Sequence, residues 1–344
     1  MKQKEEPIST SLQSRFERLK EKVFFRRPIL REVLKKHGDK ALFEYAKDFP
    51  SVNINESISD RQIEFIETCR LEIASRLGAE AAESAAEQLK KYYFASTINH
   101  HGPVAHPWCL DPDLMVAAPY LDHGDDRLKN IIVLACANIS LNNPSFPRGL
   151  VFHSSMNGVI EQHRLSFLPS NAHASATYGF RAYTPQEINK VKQQLRQKVR
   201  ERRVGKNEGE IVSGLIDEIY NQPDVLACAN YSDQVTKTNF LLWKKIFPKN
   251  GGAQPNLIYL EQESLVVRLL INYHLYGNTA ITHLLFDPGY DALITKYFDG
   301  IMCAFSQKEE WGTYLFWGIS KENNYRVQLW KQGDYLVSKD GSFK

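Results

Sequence analysis

Apolar positions near the start of the chain recur at helical spacing. Phe16, Leu19 and Val23 make one stripe, and Leu30, Val33 and Leu34 continue it, with Lys35, Lys36 and Lys40 left outside. Pro28 forces a break or a new first turn, because it has no amide hydrogen to give the preceding turn. Pro50 closes this unit. The pattern predicts amphipathic helices from about Ser11 to Tyr45, with a packing or assembly role. Further on, Ser59-Asp60-Arg61-Gln62 is a capping box, in which hydroxyl and amide satisfy each other's free backbone donors. Ile63, Ile66, Ile73 and Leu77 follow on one face. Gly78 interrupts, and an alanine-rich helix is expected from Ala79 to about Ser96.

The period then changes. Ile131 to Ala137 is a continuous apolar run, the pattern of a strand buried on both faces. Gly149 to His153 and Leu165 to Leu168 predict two more strands. Thr184-Pro185-Gln186-Glu187 opens a helix, with Thr184 as N-cap and Pro185 in the first turn, and Ile188, Val191, Leu195 and Val199 form its apolar seam. Helices are also expected over Ile211 to Tyr220, Phe240 to Phe247 and Glu263 to Tyr276, and after Pro288. A strand is expected from Asn256 to Leu260. Thr313 to Ile319, Tyr325 to Trp330 and Asp334 to Ser338 are short aromatic and β-branched runs separated by turn residues, the signature of an antiparallel meander. The fold class that follows is α+β. It comprises a helical N-terminal region (1–57), a central mixed sheet with flanking helices carrying the catalytic site (58–306), and a C-terminal antiparallel meander (307–344).

Composition narrows the classes of function. A chain of 344 residues with 43% hydrophobic and 24% charged residues is ordinary for a soluble globular protein. A net charge of +3 gives no case for nucleic acid. Lys190, Lys192, Arg196, Lys198, Arg200, Arg202, Arg203 and Lys206 surround the seam after Thr184, but without interleaved aromatics they read as a solvated helix face. The cysteines Cys69, Cys109, Cys136, Cys228 and Cys303 are scattered and odd in number, which fits reduced thiols in a cytoplasm. Met1 to Pro7 has no apolar segment behind it and the longest apolar run is far too short to cross a bilayer, so neither a secretory signal nor a membrane partner is expected.

Seven of the ten histidines fall between His100 and His173, three of them in the loop Asn99-His100-His101-Gly102-Pro103-Val104-Ala105-His106 that runs on to Trp108, Cys109 and Asp111. Histidine is the commonest protein ligand for zinc and iron, so a divalent metal (zinc, iron or manganese) held by His100 or His101 with His106, completed by Asp111, His123 or His153, is one expectation. His100 and His101 are adjacent and diverge by about 100° on a helix, so one of them with His106 is the simpler pair. The metal-free alternative is a transferase or ligase in which His101, His106 or His153 trades protons and Asn99 orients the substrate. Arg148 and Arg181, each in a loop beside a predicted element, are candidate clamps for an anionic small-molecule substrate. The third expectation is a non-catalytic protein whose N-terminal helices or basic helix engage a partner. No H-E-x-x-H, G-x-S-x-G, P-loop or G-x-G-x-x-G motif is present to decide among these.

Overall fold

Proline and glycine punctuate the helices where the sequence puts them. The computed structural model describes residues 10–48, 58–91, 99–103, 110–115, 117, 129–156, 158–170, 175–246, 255–274, 279, 317–320, 325–332, 335–338 and 340–344. Residues Met1–Val52 form one compact unit and Asn53–Lys344 a second. In the first, α1 (Thr10–Arg26) gives way at Arg27 to α2 (Pro28–His37), whose first turn holds Pro28, and α3 (Leu42–Lys47) follows.

In the second unit, α4 (Asp60–Leu77) starts at the Ser59–Gln62 capping box and stops at Gly78, whose φ of +91° favours glycine. α5 (Ala79–Lys91) turns small residues inward: Ala81, Ala82, Ala85 and Ala86 are buried with Leu89. Their size lets α4 and α5 lie close together over one face of a sheet. That sheet is a parallel pair, β1 (Asn130–Ala135) and β4 (Asn256–Glu261), in register from Asn130 opposite Asn256 to Ala135 opposite Glu261. Ile132, Ile258 and Leu260 face the helices, whereas Ile131, Val133, Leu257 and Tyr259 pack on Trp243 from the other side. The continuous apolar run therefore reflects burial of both faces, as expected. Fully burying one such aliphatic side chain is worth about 1.5–3 kcal/mol.

The remaining strands make separate sheets, not one central mixed sheet. β2 (Gly149–Met156) and β3 (Val159–Ser166) form an antiparallel hairpin with Gly149 opposite Ser166. The sequence reading misses most of β3, although Asn157-Gly158 is a strong hairpin signal and Gly158 has a φ of +78°. Gly149 must be glycine, since a Cβ there would sit 2.1 Å from the Leu165 carbonyl oxygen. The hairpin packs on α6 (Pro185–Arg200), capped by Thr184, whose seam residues Ile188, Val191 and Leu195 are buried. Its bases face outward, and Lys192 pairs with Asp217 at 2.6 Å. α7 (Lys206–Leu215) runs on as a π-turn to Tyr220, and α8 (Pro223–Leu226) is one turn long. Phe167 stacks on Tyr183 and Tyr220 at 5.0 and 4.9 Å in this second core.

α9 (Tyr231–Ile246) begins nine residues before the helix expected at Phe240. α10 (Gln262–Leu269) leaves β4 directly and continues as a π-turn to His274. The helix expected after Pro288 lies outside the described residues. At the C-terminal end β5 (Trp317–Ile319), β6 (Arg326–Gln332) and β7 (Tyr335–Ser338) form the antiparallel meander. The fold is α+β.

Candidate active site at the carboxyl ends of the parallel strands

Residues Asn99 to His101 extend the parallel sheet by a bridge: Cys136 N donates to the Asn99 carbonyl at 2.9 Å and His101 N donates to the Cys136 carbonyl at 2.8 Å. This fixes the two adjacent histidines on opposite sides. His100 Nδ1 lies 2.9 Å from Ser145 Oγ, whereas His101 is fully buried with Nε2 2.9 Å from the Ser232 carbonyl at the start of α9. A carbonyl only accepts, so Nε2 carries the proton. Burial holds the His101 pKa below its ordinary value, against the nearby Glu261, so the ring is neutral. Its Nδ1 has no hydrogen-bond partner among the described residues.

Asn99 turns into a second polar cluster. Its Nδ2 donates to Asp113 Oδ1 at 2.7 Å and to Tyr259 Oη at 2.9 Å, and Tyr259 Oη donates to Asp113 Oδ2 at 2.8 Å. Burial raises the Asp113 carboxyl to about 7, although both hydrogen bonds favour its charged form.

From His101 a chain of contacts leads to the carboxyl ends of β1 and β4. Ser232 Oγ donates to Glu261 Oε1 at 2.6 Å, and Ser264 Oγ donates to Glu261 Oε2 at 2.5 Å. Arg76, on the inner face of α4, donates through Nε to Asp233 Oδ1 at 2.8 Å, pairs with Glu72 one turn earlier, and lies 3.7 Å from Glu261. Burial opposes the Arg76 charge, but Glu72, Asp233 and Glu261 outweigh it and raise the pKa. Arg268 Nε donates to the other oxygen of Glu72 at 2.5 Å. Glu263 closes the end of β1: its two oxygens accept from Ala137 N at 2.8 Å and Asn138 N at 2.6 Å.

Among the described residues, Glu72, Asp233, Glu261 and Glu263 thus stand against two guanidiniums, Arg76 and Arg268. Glu72 and Glu261 have side chains only 5% exposed. Beside them opens a cleft of about 300 Å³ lined by Glu72, Tyr178, Ser264, Arg268 and Asn272, with Val267 and Ile271 as its apolar wall. The Tyr178 hydroxyl is raised above its ordinary pKa by burial and then by Glu261, Glu263 and Glu72, so it stays protonated there. Open parallel sheets bind ligands at this edge, where strand ends and helix starts converge.

The other residues expected from the sequence are placed as follows. Asp111 is exposed in a helical turn at 110–115. His153 is exposed on the outer face of β2, 3.4 Å from Gln162, while its neighbour Ser154 faces inward to His163 at 2.7 Å. Arg181 is held by both oxygens of Glu187, at 2.9 and 2.7 Å, in a half-exposed pair. Arg148 has no carboxylate partner among the described residues. Its Cζ lies 5.1 Å from the centre of the Phe146 ring, Arg164 lies 5.3 Å from the same centre, and the buried Arg148 Nε has no hydrogen-bond partner among the described residues. His106 and His123 lie outside the described residues. Among the described residues no three His, Cys, Asp or Glu side chains are grouped to hold a metal.

The sequence reading missed Glu72, Arg76, Asp233, Glu261 and Tyr178. Glu72 and Arg76, four apart on a helix with apolar neighbours, were one signal, and Glu261-Gln262-Glu263 after Leu257-Ile258-Tyr259-Leu260 was another. No protein-family model matches the chain, no curated protein matches it, and no solved structure matches it.

Proposed function

We propose that the chain is an enzyme acting on a small polar molecule in the cleft at the carboxyl ends of β1 and β4, and that the molecule presents a cationic group such as an amine. The observation that carries this is the excess of carboxylates over guanidiniums, with Glu72 at the boundary between the buried network and the cleft. Burying such a network is expensive, and apolar side chains of similar volume often stabilise as well or better. A cationic group entering beside Glu72 offsets the surplus negative charge. In this reading Glu72 and Arg268 orient the substrate, Tyr178 donates a hydrogen bond to it, and Arg76 is a positioning residue for Glu72 and Glu261. His101, neutral and bonded to the start of α9, is also a positioning residue. Thermal-shift titration with arginine and spermidine tests the idea. Both are expected to raise the melting temperature of the wild type and to lose that effect in Glu72→Gln. No shift, or an equal shift in the variant, overturns the reading.

A second reading follows from Arg148 and Arg164, two cations that share an aromatic ring and have no acid paired with them among the described residues. An unpaired guanidinium of this kind suits an anionic substrate, with His100 nearby through Ser145. The form of this reading that uses His106 or His123 to bind zinc, iron or manganese is decided by elemental analysis of the purified protein. In the same thermal titration, stabilisation by citrate or inorganic phosphate that is lost in Arg148→Met favours the anionic substrate over the cationic one.

A further inference from the structure

The N-terminal helices expose apolar surface that the proposed enzyme does not use. At about 100° per residue, Leu12, Phe16, Leu19 and Val23 of α1 fall within a sector about 60° wide. They are 62%, 60%, 60% and 38% exposed, and Phe25 at the corner with α2 is 86% exposed. The charges around this stripe are ordered. Arg15, Lys22 and Arg26 lie along one margin and Lys20 along the other, whereas Glu17 and Glu21 fall on the far side. Glu21 pairs with Arg31 of α2 at 2.6 Å, and Arg31 also lies 5.4 Å from the ring centre of Phe24, the buried aromatic of α1. The back of α1 is therefore occupied by α2, and the apolar stripe faces away from it. Residues 10–37 carry nine Lys and Arg against three Glu, a net +6 in a chain whose total is +3.

We infer that this helical hairpin docks on an anionic phospholipid surface, with the apolar stripe in the acyl boundary and the flanking bases at the headgroups. A one-sided apolar stripe edged by bases, with acids opposite, is the geometry of a helix lying in a membrane interface. No described helix is long and apolar enough to cross a membrane, and a surface helix has no need to. The stripe also has the 4-3-4 spacing of a coiled-coil seam, but it spans only two heptads, fewer than the three or four that a stable one needs. In a pair of copies the flanking positions Arg15, Lys20 and Lys22 would set base against base, which opposes self-association. A nucleic acid would satisfy the bases and leave Phe16 and Leu19 in water.

Co-sedimentation of the full chain with phospholipid vesicles tests the inference. The chain is expected to pellet with phosphatidylcholine vesicles containing phosphatidylserine, to stay in solution with phosphatidylcholine alone, and to be released by added salt. Leu19→Asp, at an exposed position, should abolish binding. Lys20→Ala and Lys22→Ala, which leave the stripe intact, should weaken it about fivefold each, the equivalent of ~1 kcal/mol per base. Failure to pellet with the serine lipid at low ionic strength overturns the inference, as does equal binding to both vesicle types. It is also overturned by a dimer in sedimentation equilibrium that Leu19→Asp dissolves, or by binding to RNA in place of lipid.

Discussion

Asp113 has no exposed surface, yet its carboxyl titrates near neutrality, so its effect on stability has a defined sign. The folded state keeps a proton that the unfolded chain releases near pH ~4. The stabilisation tied to this proton is complete below about pH 4 and is lost as the pH rises to about 7. At about 1.4 kcal/mol per pH unit the loss amounts to a few kcal/mol. His101 works the other way. Its pKa is held down by burial, so its contribution is present above its ordinary pKa of about 6.5 and lost as the pH falls below that. Asp113→Asn keeps the hydrogen bond from Asn99 and removes the titration. Melting curves from pH 4 to pH 8 are expected to show wild type losing ground to Asp113→Asn as the pH rises. Parallel curves for the two proteins would show that Asp113 is ionised throughout the range.

At the scale of elements, Arg76 ties three of them together: Glu72 on its own helix α4, Asp233 at the start of α9 and Glu261 at the end of β4. Removing one partner of a buried ionic group costs about 3–5 kcal/mol, because the carboxylates left behind remain desolvated. Arg76→Met is therefore expected to lower the urea midpoint strongly. Arg181→Met, which breaks the half-exposed pair with Glu187, should cost no more than about 1 kcal/mol. Equal losses would mean that water reaches the Arg76 network. The same elements explain what the sequence could reveal. β1 and α6 were legible because their signals are local: an unbroken apolar run and a capping box ahead of a seam. The first half of α9 was not. Its buried face includes Gln234, Thr236 and Asn239, which are polar because Gln234 bonds to Tyr183, Thr236 Oγ donates to the Tyr259 carbonyl, and Asn239 donates to the Gly102 carbonyl. Tertiary hydrogen bonds replace apolar contacts there, so no 3.6-residue hydrophobic period survives. The candidate site was half legible for the same reason. His101 and Asn99 stood out by local density, whereas Glu72, Asp233 and Glu261 meet only through the fold.

Over the whole molecule, stability is unevenly distributed between the two units. Among the described residues the second holds three apolar clusters, with Trp243, Tyr220, Tyr231, Tyr259 and Ile73 among its most deeply buried side chains. In the first, the buried apolar side chains among those described are Phe24 and Ala46, and α2 buries none. Helices of 17 and 10 residues are marginal in water without a packed face. The first unit should open far more often than the sheet of the second. Hydrogen exchange read by mass spectrometry is expected to show amides of residues 13–37 exchanging orders of magnitude faster than those of β1, β4 and α9. A hairpin that gains its missing apolar contact from a membrane should then gain protection selectively: anionic vesicles should slow exchange in α1 and α2 and leave β1 unchanged. Protection in α1 equal to that of β1 without lipid would place the covering surface within the protein itself, and the exposed stripe would need no external partner.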